Sequence, residues 1–177
     1  MVESEPVAPA DQHAGIQMWQ EYCRAHPEAV AASPEYTIEH FGDTRVLADE
    51  LLAHVLSGRK RATAELVGDF LARGDQVPRI GSHWIACDAN GTPCIIIRSV
   101  ELRIGTFNCA DAAFAADEGE DDLSLDSWRR EHARYWTRVS AARNRRWSED
   151  DEIVFERFRV VWPPEHADPA HQLRDTN

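Results

Sequence analysis

Apolar residues recur at steps of three and four near the start of the chain, at Ile16, Trp19, Tyr22 and Cys23. That spacing keeps one helical face apolar and predicts a helix ending near His26-Pro27. A second stripe, Val46, Leu47, Leu51, Leu52, Val55 and Leu56, predicts a helix that Asp43 or Thr44 caps and Gly58 ends. Between the two, residues 30–42 read as a loop with turn signals at Ser33-Pro34 and Phe41-Gly42-Asp43. Leu66, Phe70 and Leu71 add a helical turn within residues 65–73, broken by Gly74-Asp75 and Pro78.

The middle of the chain changes period. Trp84 to Cys87 is a short apolar run. Cys94 to Val100, with Ile95, Ile96 and Ile97 in succession, reads as a strand buried on both faces that continues through Leu102 and Ile104. Asp88-Ala89-Asn90-Gly91 lies between them, and its Asn-Gly pair signals a hairpin. The stretch Asp111 to Asp126 is acidic, and Phe114 is its one large apolar residue before Leu123. Ser124 then caps a helix with Trp128, His132, Tyr135, Trp136 and Val139 on one face and Arg130, Arg134 and Arg138 on another. The alternating run Ile153 to Trp162 is the last strand, stopped by Pro163-Pro164. Short strands with non-helical connections predict an α+β domain, a mixed, curled sheet or small β-barrel with helices at its ends. The domain is expected over residues 13–163. A disordered arm at 1–12, acidic and containing Pro6 and Pro9, precedes it, and a flexible polar tail at 164–177 follows.

Composition narrows the partners. The formal net charge is -12. So acidic a surface repels phosphate backbones and disfavours duplex DNA. Exposed charges are screened beyond about 10 Å, which leaves room for a local basic cleft. No apolar run approaches the roughly 20 residues that span a bilayer. Met1 to Asp11 has neither the basic region nor the apolar stretch of a secretory signal, so a cytoplasmic location without a membrane partner is expected. Cys23, Cys87, Cys94 and Cys109 form no C-x-x-C pair, and no His stands at zinc-finger spacing. No metal, cofactor or structural disulfide is therefore expected, and Cys87 and Cys94 read as small core residues. A homodimer is compatible with the sequence, which does not fix the oligomeric state.

Candidate chemistry concentrates at Gly58-Arg59-Lys60-Arg61-Ala62-Thr63. Cations after a helix favour its dipole, and that alone accounts for most such runs. Lys60, however, is the only lysine in the chain. An amine can lose its proton where a guanidinium cannot. Thr63 follows three residues later, close enough for its hydroxyl to share a site with that amine. A hydroxyl is a weak nucleophile unless a neighbouring base takes its proton. An amine desolvated beside other cations has a lowered pKa, so Lys60 between Arg59 and Arg61 is expected to be that base.

The run Phe41-Gly42-Asp43, Leu47-Ala48-Asp49-Glu50-Leu51-Leu52 and Ser57-Gly58-Arg59-Lys60-Arg61-Ala62-Thr63-Ala64 resembles the ASCH domain family, whose hallmark is a G-x-K-x-x-T turn. The resemblance extends to Pro78-Arg79-Ile80-Gly81, Phe114-Ala115-Ala116, Glu118-Gly119-Glu120, Ser124-Leu125, Trp128-Arg129 and Phe155-Glu156-Arg157-Phe158-Arg159-Val160-Val161, covering roughly residues 15–163. It implies a PUA-like small mixed β-barrel with flanking helices, binding RNA in a cleft beside the barrel. Some small members look like amidohydrolases of acetylated cytidine, with a Lys, a Thr and a Glu at the centre. Longer bacterial members, nearer to this chain in layout, are associated with ribonuclease activity. Carried over residue by residue, the catalytic set is Lys60, Thr63 and a Glu, for which Glu118 aligns best and Glu120 is the near alternative across the longer insertion around Gly119 to Leu123. The resemblance thus implies a hydrolase that takes single-stranded RNA or a modified nucleoside, ribonuclease-like in the first reading. The alternatives are an amidohydrolase of acetylated cytidine or a similar small amide, and an RNA-binding module without catalysis. In a ribonuclease Lys60 would bind the phosphate or stabilise developing charge while a base activates the ribose 2′-hydroxyl.

The strongest cationic feature is the set Arg129, Arg130, Arg134, Arg138, Arg143, Arg145 and Arg146. It is either a solvated face balanced by the preceding acidic stretch or a phosphate track. In the second case Arg59, Arg61, Arg129 and Arg130 bind the ligand, and Trp147 is the stacking residue. A basic track continuous with Lys60 would favour RNA. A pocket closed around Lys60, Thr63 and one Glu would favour a small amide. His132, on an apolar face, is expected to be a packed core residue. Glu156 reads equally as a buried partner for a site cation or as a surface residue. The acidic residues 117–122 lack the spacing of a calcium loop.

Overall fold

The computed structural model describes residues 5–169. Its elements run α1 (Gln12–Ala25), α2 (Pro27–Ala32), β1 (Tyr36–His40), α3 (Arg45–Leu56), β2 (Ala62–Leu66), α4 (Val67–Arg73), β3 (His83–Cys87), β4 (Pro93–Gly105), a 3-10 turn (Phe107–Cys109), α5 (Ala112–Glu118), α6 (Leu125–Ala142) and β5 (Ile153–Trp162). The strands form one sheet in the order β1-β3-β4-β5-β2. Only β1 and β3 run parallel; the other neighbours are antiparallel. This is the α+β architecture with a curled, half-barrel sheet that the pattern predicts.

Strand alternation sorts the side chains to two faces. The three consecutive isoleucines show it directly. Ile95 and Ile97 pack with Leu51, Leu52 and Val55 of α3, Phe41, Phe158 and Val160, whereas Ile96 packs with Trp19 and Tyr22 of α1. At the other end of the sheet Ala62, Leu66, Ile153 and Phe155 meet Phe114 of α5 and Trp128, Trp136 and Val139 of α6. The hairpin turn forms as read. Asp88 N–H donates to the Thr92 carbonyl at 2.9 Å, and Gly91 adopts a positive φ of 84°.

Five segments differ from the sequence reading. The expected loop 30–42 holds the end of α2 and all of β1, a short edge strand whose inward residues Tyr36, Ile38 and His40 are only half-buried. The expected helical segment 65–73 divides, because residues up to Leu66 belong to β2 and pair with β5. The acidic stretch contains a real helix, α5, capped by Asp111, whose side chain accepts from Phe114 N–H at 2.8 Å. Residues 5–11 of the expected disordered arm lie against the hairpin: Ala8 N–H donates to the Ala89 carbonyl at 3.0 Å and Asp11 N–H to the Gly91 carbonyl at 2.8 Å. The start of that arm, residues 1–4, lies outside the described residues, as do 170–177 of the expected flexible tail. The first part of that tail folds back, and Asp168 pairs with Arg61 at 2.6 Å and with the Val160 backbone.

Candidate functional site

Lys60 follows the end of α3, where Gly58 takes a positive φ of 81° and turns the chain inward. The Lys60 N–H donates to the His54 carbonyl, and Arg61 N–H reaches across to the Asp117 carbonyl at 2.8 Å. The last link ties the basic turn to the end of α5. Gly119 caps α5 in a left-handed conformation, φ 71°, and a Cβ there would lie 2.2 Å from the Arg59 carbonyl oxygen. Only glycine allows this close approach, which sets Glu118 and Glu120 on either side of the lysine.

The lysine is 1% exposed, and Nζ donates to Glu120 Oε1 at 2.5 Å. Glu118 is 0% exposed. Its Oε2 accepts from Trp128 Nε1 at 2.9 Å and lies 3.1 Å from His132 Nε2, while its Oε1 has no hydrogen-bond partner among the described residues. His132 stacks on Trp128 at a centroid separation of 4.1 Å, and its Nδ1 faces the Trp128 carbonyl. Burial alone would lower the Lys60 pKa, but the carboxylates of Glu120 and Glu118 outweigh it and hold it above the ordinary value. Burial likewise works against the charged forms of Glu118 and His132. The Lys60 ammonium and the His132 ring keep Glu118 below the usual carboxylate range, and Glu118 raises His132.

These facts correct two expectations. Lys60 is not a lysine depressed by cationic neighbours, because the Glu120 and Glu118 carboxylates dominate its field while the Arg59 and Arg61 guanidiniums are bound elsewhere, that of Arg61 also to the Lys60 carbonyl at 2.7 Å. Arg59 donates to the Asp121 carbonyl, and Arg61 donates to the Val55 carbonyl and to Asp168. Nor is His132 only a packed core residue, since it is the buried partner of Glu118. The signal for that was a titratable ring inside an apolar helical stripe, a group that needs a polar partner when buried.

A cleft of about 1090 Å³ opens beside the cluster, lined by Lys60, Thr63, Glu118, Glu120, His132 and Glu156 among others. Thr63 on β2 stands opposite Glu156 on β5. The structure thus brings together Lys60, Thr63 and both candidate glutamates. It does not bring Arg59, Arg61, Arg129, Arg130 or Trp147 into the cleft lining. Arg130 pairs with Asp121 and Glu131 on the surface. Trp147 is partly buried, 5.2 Å from Phe107 and 5.9 Å from Trp136, and packs against the α6 side of the core rather than lining the cleft. The arginines that do line the cleft all face carboxylates: Arg73 with Glu65, Arg79 with Glu35, Arg134 with Glu131, Arg138 with Asp43 and Arg143 with Asp69. The cations are neutralised in place, and no continuous basic track leads to Lys60 among the described residues.

The family model for the ASCH domain matches residues 37–162. The chain belongs to the ASCH domain family. This ASCH domain is similar in structure to an ASCH domain from Lactobacillus crispatus JV V101, at 24% identity and a TM-score of 0.76, over 86% of this chain and 96% of that one. It is also similar to protein EF3133 from Enterococcus faecalis V583, at 29% identity and a TM-score of 0.73, over 84% of this chain and 88% of that one. No relative among curated proteins matches it. Among the described residues of this ASCH domain, no helix is long and apolar enough to cross a membrane.

Proposed function

We propose that this ASCH domain admits an uncharged, nucleoside-sized ligand, free or as an unpaired base of single-stranded RNA, and hydrolyses an amide on it. The observation that carries this reading is the Lys60–Glu120 pair, held at 2.5 Å beside the cleft that Thr63 also lines. An ammonium fixed in a dry site stabilises the oxyanion of a tetrahedral intermediate. Glu120, with its side chain 30% exposed, is open to the cleft. It takes the proton of the attacking hydroxyl, from Thr63 or a water, and returns it to the leaving amine; where Thr63 attacks, a water activated by the same carboxylate then cleaves the acyl-threonine ester, releasing the acid and restoring the Thr63 hydroxyl. The lysine is then the electrostatic element and the carboxylate the base. The cleft volume of about 1090 Å³ lies just above the roughly 300–1,000 Å³ typical of small-ligand sites. The arginine–carboxylate pairs along the cleft weigh against a polyphosphate track and so against the ribonuclease reading.

The test is an assay of purified protein on an N4-acylated cytidine and on single-stranded RNA, followed by chromatography. Lys60→Met and Glu120→Gln are run beside the wild type, with folding checked by circular dichroism. Amide hydrolysis by the wild type is expected, with a loss of about 10²–10³-fold in Lys60→Met, the usual effect of removing an oxyanion donor. RNA cleavage without amide hydrolysis, or undiminished turnover in folded Lys60→Met, would overturn the proposal.

A further inference from the structure

We infer that Glu156 is the residue that reads the ligand, bonding as a neutral carboxylic acid to a ring nitrogen and the exocyclic N–H beside it, the edge that cytosine and adenine present and uracil lacks. The inference rests on the nucleoside reading above and adds to it a recognition element and a proton.

The argument begins with the sheet. Thr63, Glu65 and Glu156 alternate with Ala62, Ala64 and Phe155, which face α5 and α6, so they lie on the opposite face. Further along that face Phe158, Val160, Ile95 and Ile97 are covered by α3. The polar half, with Ser99 of β4 beside it, is left open and forms the wall of the cleft. Glu156 is only 7% exposed there. Its neighbours are a hydroxyl and a second carboxylate rather than a cation. Ser99 Oγ donates to Oε1, and Glu65 is itself bound by Arg73 at 2.5 Å. Burial raises the Glu156 pKa, the Ser99 bond opposes this, and Glu65 adds to the rise, for a value pushed up to about 7.

A neutral carboxyl carries one donor and one acceptor on adjacent oxygens. The Ser99 hydroxyl occupies Oε1 as an acceptor, so the proton belongs on Oε2. In that arrangement Oε2–H meets a ring nitrogen, and Oε1, which has a second lone pair, accepts the exocyclic N–H. Uracil in the same pose would set N–H against O–H and carbonyl against carbonyl. Thr63, the cross-strand partner of Glu156, then lies next to the exocyclic group, where an amide would be attacked. Besides the Lys60 cluster with His132, the titratable and charged groups that line the cleft with Glu156 include Glu65 of β2, Asp69 and Arg73 of α4, Glu131, Arg134, Tyr135 and Arg138 of α6, Arg143 beyond it, and, further along, Glu35, Tyr36, Glu39, His40, Asp43, Asp75, Arg79 and His83. Each remains in place in Glu156→Gln.

The experiment is calorimetric titration of the intact protein with cytidine, 3-deazacytidine and uridine from pH 6 to pH 9. Wild-type affinity for cytidine should fall by up to tenfold per pH unit above about 7, because binding then requires uptake of one proton. In Glu156→Gln the amide keeps a donor and an acceptor at every pH, so the profile should flatten while cytidine still binds. Replacing the ring nitrogen in 3-deazacytidine should cost about tenfold or more, as expected when a buried hydrogen bond is lost. Cytidine binding with the same pH profile in both proteins, or undiminished binding of 3-deazacytidine, overturns the role of Glu156 alone. No binding of any nucleoside at any pH overturns the nucleoside reading itself.

Discussion

Replacing Lys60 by methionine keeps the length and most of the volume of a side chain that is 1% exposed but removes its charge. Glu118, at 0% exposure, and Glu120 then face one another with only His132 as a counter-charge. Removing one partner from a buried ion pair costs about 3–5 kcal/mol, because the remaining charge stays desolvated. That is a large share of the roughly 5–15 kcal/mol that stabilises a domain. At about 2–4 °C per kcal/mol for a chain of this size, Lys60→Met should melt about 6–20 °C below the wild type near pH 7. The deficit has a defined pH dependence. The folded pKa of Glu118 lies below its ordinary 4.5 in the wild type, so the stabilisation is present above that value and is lost as pH falls through the folded pKa. Protonation also removes the penalty in the variant. The gap between the two proteins should therefore shrink on acidification. Melting curves by circular dichroism at pH 4, 5, 6 and 7 measure it. A gap under about 1 kcal/mol at pH 7, or one that widens in acid, would refute the description of Lys60 as the neutralising centre of a buried carboxylate pair.

Three further outcomes follow from the geometry. Gly119→Ala combines a positive φ with a Cβ 2.2 Å from the Arg59 carbonyl, and should cost about 2–4 kcal/mol in urea unfolding, whereas a loss below about 1 kcal/mol would mean that this contact does not set the turn. Trp147→Ala should cost about 2–4 kcal/mol by opening a hole beside Phe107 and Trp136 and leave ligand affinity intact, and the reverse result would restore it as a stacking residue. The His132 ring, raised by Glu118, should titrate above 6.5 by NMR and fall in Glu118→Gln. Its contribution to stability is present below 6.5 and is lost as pH rises through the folded pKa, so an unshifted ring in the variant would dismiss the pair.

Much of the fold is legible along the chain, because local period and capping chemistry do not depend on distant partners. The stripe from Val46 to Leu56, Thr44 and Gly58 define α3 by themselves, and Asn90-Gly91 between two apolar runs defines the hairpin. Lys60 as the only lysine, with Thr63 after it, marks the candidate site without any structure. The segments that escaped were those whose state is set by contacts. β1 is an edge strand of half-exposed residues, and β2 uses alanines of low strand propensity that extend only because β5 pairs with them. Asp111 and Gly119 bracketed α5 as its caps, but the acidic residues around them masked its short Ala-Phe-Ala core.

The sequence by itself determined which residues are candidates for the chemistry, since residue type and spacing decide what an amine, a hydroxyl and carboxylates can do together. It could not determine their charge states, because those depend on burial and on neighbours distant in the chain. Arg59 and Arg61 adjoin Lys60 in sequence yet spend their guanidiniums on backbone carbonyls and Asp168, while Glu118 and Glu120, some sixty residues later, supply its field. Only the tertiary structure decided that the lysine is paired with Glu120, that His132 completes the cluster, and that Glu156 stands opposite Thr63 without a cation.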